Sequence, residues 1–221
     1  MAGELRFLDA LSLGDAQALR ALGGRRRYPP GAALFHEREP GDAVLVLLSG
    51  RVKLSRATEG GREALLGIRE PGELIGEMSA LDEAPRSATA VALEPVEVLA
   101  LSSEAFVGFL NRTPGVAVLV LRALIQRLRD ADVKRTEFLA QDTVGRVCSR
   151  LVELAERFGE NAEDGVHVDL AITQEELAGW TGSSREAVIK ALRTLRELGW
   201  IETRRRGVTL LDIETLRRRA V

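Results

Sequence analysis

Between residues 25 and 101 the apolar positions come in short runs. They are Ala33-Leu34-Phe35, Val44-Leu45-Val46-Leu47-Leu48, Val52-Lys53-Leu54, Ala64-Leu65-Leu66-Gly67-Ile68, Ala88-Thr89-Ala90-Val91 and Val96-Glu97-Val98-Leu99. Turn chemistry separates them: Pro30-Gly31, Pro40-Gly41-Asp42, Ser49-Gly50, Gly60-Gly61 and Pro71-Gly72. Runs of this length at a spacing of about 8–12 residues predict a β-roll or barrel. Gly60-Gly61 is a two-residue hairpin turn, since both positions tolerate positive φ.

The period then changes from strand-like to helical. Ser102 to Asn111 predicts a short helix. Thr113-Pro114 opens a second one, with the Thr113 hydroxyl as cap and proline at the first helical position. That helix is expected to reach about Gln141. Leu121, Leu124, Leu128, Ala131, Arg135 and Phe138 follow three- and four-residue steps along it, the spacing of a coiled-coil seam. The same spacing suits an amphipathic helix lying on its own domain. A helix of about 28 residues would span about 42 Å, which favours a second copy as partner. Asp142 caps a further helix, with Val144, Val147, Cys148, Leu151, Ala155 and Phe158 on one face and Gly159 as its stop. Cys148 on that face reads as core packing. Glu160 to Gly165 reads as a polar loop.

From Ile172 to Ile201 the local chemistry is more specific. Thr173-Gln174-Glu175-Glu176 is a capping box, with Ile172 and Leu177 placed as a hydrophobic staple. The helix is expected to end near Thr181, with Gly182 making the turn. Ser183-Ser184-Arg185-Glu186 reads as a second capping box. Ala187, Val188, Ala191, Leu192, Leu195 and Leu198 would form the buried face of the following helix. A helix pair joined by a glycine turn predicts a helix-turn-helix. Arg185, Glu186, Ile189, Lys190 and Arg193 then face outward, and those at the N-terminal end enter a major groove first. Arginine can donate twice to guanine and glutamate can accept from cytosine. Glu186-Lys190 is equally an i,i+4 ion pair, and Arg185 and Arg193 equally solvated charges. The flanking sequence decides between these readings. Trp200-Ile201-Glu202-Thr203 and Val208-Thr209-Leu210-Leu211 predict a β-wing around Arg204-Arg205-Arg206-Gly207. Residues 185–206 carry seven cations against three anions, an excess of four, in a chain of net charge -2. A local excess of that kind is the footprint of phosphate contact.

Composition narrows the rest. A single cysteine excludes an internal disulfide and a four-thiolate iron–sulfur cluster. The two histidines, His36 and His167, lie in different halves of the chain, so neither a haem site nor a metal site is expected. Met1 to Arg6 lacks the apolar stretch of a leader, and no run of 18 apolar residues occurs, so a cytoplasmic protein without a membrane span is expected. The roll, long helix and winged helix occupy all 221 residues, and no nucleophile–base pair is evident. The chain is not expected to be an enzyme.

In the roll, Pro71-Gly72-Glu73-Leu74-Ile75-Gly76-Glu77-Met78-Ser79-Ala80-Leu81 precedes Pro85-Arg86-Ser87-Ala88-Thr89-Ala90. A glycine turn, a short helix and one arginine could hold a small anion. Here the sequence resembles the cAMP receptor protein/FNR superfamily of bacterial regulators, over essentially its whole length. The resemblance rests on Gly72-Glu73-Leu74-Ile75-Gly76-Glu77 with Arg86-Ser87, on Asp142-Thr143-Val144-Gly145-Arg146, and on Thr173-Gln174-Glu175-Glu176-Leu177 with Ser184-Arg185-Glu186-Ala187-Val188.

The resemblance implies an α+β fold: residues 1–112 a cyclic-nucleotide-binding β-roll of the jelly-roll type, 113–141 a long dimerisation helix, and 142–221 a winged helix-turn-helix. It implies a homodimer that binds double-stranded DNA at a TGTGA-like inverted repeat, answers to cAMP or a related cyclic nucleotide, and works with RNA polymerase. Arg86 would pair with the cyclic phosphate and Ser87 would hydrogen-bond it, beside Ala88. Glu73 would accept from the ribose 2′-hydroxyl, close to the Gly72 backbone. Arg185, Glu186 and Lys190 would read bases, with Thr173, Gln174, Ser184 and Arg204 also at the DNA. Two departures stand out. Ala131 and Asp132 occupy the long-helix positions that face the purine, where cAMP-responsive members carry Thr and a polar residue. Lys190 stands where arginine is common, so the planar fork is missing.

Overall fold

The computed structural model describes residues 6–58, 63–169, 172–204 and 207–220. It resolves into two units, Met1–Ala57 with Leu66–Ala131 and Thr58–Leu65 with Asp132–Val221. The Gly60-Gly61 turn and Arg205-Arg206 lie outside the described residues.

The first unit opens with a 3-10 turn, Leu8–Ala10, and helix α1, Leu13–Leu22, capped by Ser12. Eight strands follow: β1 Gly24–Tyr28, β2 Ala33–Phe35, β3 Ala43–Ser49, β4 Val52–Ala57, β5 Glu63–Arg69, β6 Leu74–Ile75, β7 Thr89–Ala92 and β8 Val96–Ser102. Two four-stranded sheets result, ordered β1-β8-β3-β6 and β2-β7-β4-β5. The expected roll is therefore present, with β1 added. Its Arg25-Arg26-Arg27 run carries no apolar signal; it pairs with β8 as an edge strand, where charge deters further pairing.

Strand β3 explains why Val44 to Leu48 is unbroken rather than alternating. Leu45 and Leu47 pack between the sheets with Ile75, Ala90, Val96 and Val98. Val44 and Val46 face the other way, onto Phe106, Phe109, Val116 and Val120. Both faces are buried, so both must be apolar.

Helix α2, Glu77–Asp82, interrupts the strands; α3, Ser103–Arg112, is capped by Ser102. The Thr113 hydroxyl donates to Phe109 O at 2.6 Å, closing α3 rather than capping its successor. Helix α4, Pro114–Ala140, is bent by 116° from α3. Its apolar residues form two stripes. Val116 and Val120 are buried against their own unit, with Leu124 packed on the same cluster. Val118, Leu121, Ile125 and Leu128 are exposed. The expected seam thus mixed the two stripes: Leu124 belongs to the inner one, and the outer one runs 118, 121, 125, 128. No single helix among the described residues is long and apolar enough to cross a membrane.

In the second unit α5, Thr143–Phe158, is capped by Asp142, whose carboxylate accepts from Gly145 N at 2.8 Å. Cys148 is fully buried on it, and burial pushes the thiol up to about 11. The polar segment after Gly159 is a hairpin, β9 Gly159–Ala162 and β10 Gly165–Val168, rather than a loop. It completes a sheet ordered β11-β12-β10-β9 with β11 Ile201–Arg204 and β12 Gly207–Leu210. Helices α6, Gln174–Thr181, α7, Arg185–Glu197, and α8, Ile213–Arg219, pack on α5.

Candidate functional site

Arg86 is a buried cation of the first unit. It is 4% exposed, and its guanidinium lies 4.3 Å from the Phe35 ring centre. Nη1 donates to Gly76 O at 2.9 Å and Nη2 to Ala43 O at 2.6 Å. Asp42 is 3.7 Å away but mostly in solvent. Burial holds the Arg86 pKa below its ordinary value, opposed by Asp42, Glu77 and Glu39. Nε is buried and has no hydrogen-bond partner among the described residues. A buried cation whose donors meet neutral carbonyls, with one donor idle, is suited to receive an anion. Ser87 is exposed and Ala88 buried immediately after it.

Gly76 makes this geometry possible. It sits at φ +81 as the cap of α2, and a Cβ there would lie 2.3 Å from Arg86 Nη1. Gly72 serves another purpose. Its N–H donates to Leu47 O at 2.7 Å and its carbonyl accepts from Leu8 N at 2.9 Å. Glu73 is likewise engaged away from Arg86. It accepts from Glu70 N at 2.7 Å, and its other oxygen lies 3.6 Å from Arg69 Nε and 3.7 Å from Arg127 Nη2. The Gly-Glu pair beside Arg86 is Gly76-Glu77, four residues later.

Arg127 is the functional candidate that sequence reasoning missed. It projects from the inner stripe of α4, pairs with Glu77, and donates to Leu74 O at 2.8 Å. The available signal was a cation among inward apolar residues, one helical step beyond Leu124. Ala131 and Asp132 lie further along α4, the first exposed and the second exposed as well.

In the second unit the Thr173 capping box closes in both directions: the hydroxyl accepts from Glu176 N at 3.1 Å, and Glu176 accepts from Thr173 N at 2.7 Å. Gln174 starts α6. Gly182 turns the chain at φ +59, and a Cβ there would come within 2.7 Å of the Phe138 ring. The second cap is shifted by one residue from the expected register. Ser184, not Ser183, caps α7, accepting from Ala187 N at 3.2 Å and placing Glu186 in the first turn. Ser183 instead meets Arg146 Nη2 at 3.2 Å.

Arg146 ties the turn down. Its Nε donates to Thr181 O at 2.8 Å and its Nη1 to Gln141 O at 2.6 Å, while Phe138 lies 5.0 Å from its guanidinium carbon. A second cluster joins α4, α5 and α6. Buried Arg150 pairs with Glu137 and Glu153 beside the Trp180 ring, and Lys134 reaches Glu153 at 3.2 Å. Burial lowers the Lys134 pKa, opposed by Glu153.

Arg185, Glu186, Ile189, Lys190 and Arg193 are all exposed on α7, opposite buried Val188, Ala191, Leu192 and Leu195. Arg193 pairs with Glu197 at 2.8 Å. Arg185 and Lys190 make no side-chain hydrogen bond or ion pair among the described residues. Arg204, on the wing, meets Asp164 at 3.2 Å and His167 Nε2 at 3.2 Å.

These two constellations correspond to two known domains. Residues 25–113 match the cyclic nucleotide-binding domain family, and residues 145–219 the Crp-like helix-turn-helix domain family. A CRP-like cAMP-activated global transcriptional regulator of Mycobacterium tuberculosis is 36% identical over 87% of this chain and 86% of its own. A cyclic AMP receptor protein of Thermus thermophilus is 39% identical over 79% of this chain and 78% of its own. The crystal structure of a CRP-family transcriptional regulator from the same organism superposes with a TM-score of 0.76 at 27% identity, covering 88% of this chain and 96% of that one. Sequence, domain order and fold agree, and the chain belongs to the CRP/FNR family of transcription regulators.

Proposed function

We propose that this protein is a homodimeric regulator whose affinity for a TGTGA-like inverted repeat is raised by cAMP or a related cyclic nucleotide, acting in the cytoplasm together with RNA polymerase. The observation that carries the nucleotide half is the idle, buried Nε of Arg86. A cyclic phosphate can occupy it and draw the Nη groups from neutral carbonyls to a charged partner, with Ser87 as a further donor. Glu77 acts on Arg86 while Glu73 faces Glu70 N, Arg69 and Arg127, so the carboxylate proposed for the sugar hydroxyl is Glu77, in place of the Glu73 that the sequence suggested. The curated relatives from Mycobacterium tuberculosis and Thermus thermophilus, named for cAMP, support the ligand class.

Signal transfer follows from Arg127. Its bonds to Glu77 and Leu74 O link the pocket edge to α4. The exposed stripe Val118, Leu121, Ile125 and Leu128 has coiled-coil spacing, and its proposed occupant is the same stripe of a second copy. Nucleotide that binds more tightly to one packing of the paired helices shifts the population toward it. On DNA, Arg185, Glu186 and Lys190 meet base edges, while Thr173, Gln174, Ser184 and Arg204 meet the backbone.

Ala131 and Asp132 favour a second reading, a regulator of the same fold without a nucleotide switch, because Ala131 offers the purine no polar atom. Gel-shift titration of a TGTGA palindrome separates the two. The switch predicts at least tenfold tighter binding with cAMP, abolished by Arg86→Ala. Equal affinity with and without every cyclic nucleotide tested sinks the switch and leaves DNA binding standing.

A further inference from the structure

We propose that Ile189 is a specificity-determining residue that reads the 5-methyl group of one thymine in each half-site. The inference rests on the DNA-binding reading above and deepens it. Helix α7 begins at Arg185 under the Ser184 cap. At 100° per residue, positions 185, 186, 189, 190 and 193 share the face turned away from the core. Four of the five are charged. The fifth is a branched aliphatic, 38% exposed, with Arg185 one turn before it and Arg193 one turn after.

The fold gains little from this residue. The core face of α7 is already complete with Val188, Ala191, Leu192 and Leu195. A β-branched side chain is also a poorer helix former than alanine, lysine or glutamate at a solvated position. Local preference and residue choice disagree here, on the one face of the helix that would enter a groove. The major groove offers an aliphatic group a single matching feature. Guanine, cytosine and adenine present donors and acceptors at their edges, and thymine alone adds a methyl. Arg185 and Lys190, whose side chains have no partner among the described residues, are free to take guanine edges or phosphates on either side. The apolar contact between them excludes water from both methyl and isoleucine.

Deoxyuridine removes that methyl and nothing else, which makes the test direct. The full-length protein is titrated by fluorescence anisotropy, with cAMP present, on a TGTGA-like palindrome in which each thymine pair is replaced in turn by deoxyuridine. Wild type is expected to lose about 3–10-fold in affinity at one symmetric position and little elsewhere, the scale of one buried methyl. Ile189→Ala should bind the unmodified duplex as wild type binds that substituted one, and be indifferent to the substitution. Because the side chain is exposed, its melting temperature should match wild type. The proposal is overturned if wild type shows no deoxyuridine-sensitive position, or if Ile189→Ala keeps the same sensitivity. Failure of wild type to bind any duplex overturns the DNA-binding reading itself, and this proposal with it.

Discussion

Two arginines, Arg86 of the first unit and Arg146 of the other, are hard to tell apart in sequence, each one cation among small and apolar neighbours. Their surroundings separate them. Arg146 has a neutral acceptor for every nitrogen: Thr181 O, Gln141 O and the Ser183 hydroxyl. Arg86 has two carbonyls, one buried donor without a partner among the described residues, and an exposed carboxylate, Asp42, at 3.7 Å. A guanidinium with all its nitrogens matched is a clamp; one left incomplete in the interior has the capacity for the receptor role proposed for Arg86. The number of donors left over, rather than burial alone, distinguishes structure from function.

Substitutions should bring out that difference. Arg146→Met leaves three acceptors without a donor, and should destabilise the second unit by about 2–3 kcal/mol in urea unfolding. It should lose DNA binding only as a consequence of unfolding. Arg86→Met should do the reverse. Nucleotide affinity by calorimetry should fall at least 100-fold, about 2.7 kcal/mol, while the ligand-free melting temperature falls less than in Arg146→Met, because removing a desolvated charge offsets the loss of the donors to Gly76 O and Ala43 O. Were both variants to lose stability equally, the clamp–receptor distinction would fail. Gly182→Ala sets a Cβ against the Phe138 ring at positive φ, and should cost about 1–2 kcal/mol without altering nucleotide affinity.

The smallest expected effect is at Asp142. Asp142→Ala should cost about 1 kcal/mol as a lost helix cap. The Gly145 N–H, and then Arg219, hold this carboxyl below its ordinary value of 3.8. A depressed pKa means the stabilisation is complete at neutral pH and is lost as pH falls through the lowered value. The melting difference between wild type and Asp142→Ala should therefore shrink on acidification.

Most of the architecture was legible in the pattern of residues, because strand runs and caps are local signals. The Thr173 box, the Gly182 turn and the Asp142 cap are each decided within four residues of chain. What escaped was decided at longer range. Ser183 and Ser184 offer the same hydroxyl, and Arg146, distant in the chain, is what removes Ser183 from the cap. Leu121 and Leu124 both fit a seam; the cluster around Phe106 and Phe109 claims only Leu124. Gly72-Glu73 and Gly76-Glu77 are the same dipeptide, and only the fold shows which one Arg86 touches. Strand β9, Gly-Glu-Asn-Ala, has no apolar alternation and exists through its pairing with β10.

Cys148 has a practical consequence. It is the chain's only thiol and is fully buried, and that burial pushes its pKa up to about 11, further from the thiolate than an ordinary cysteine. Thiol reagents will therefore pass it by in the folded protein. The unaltered chain is a silent background for single-cysteine labelling, so dyes placed along the outer stripe of α4 would report helix-to-helix distances in the proposed dimer as cyclic nucleotide is titrated in.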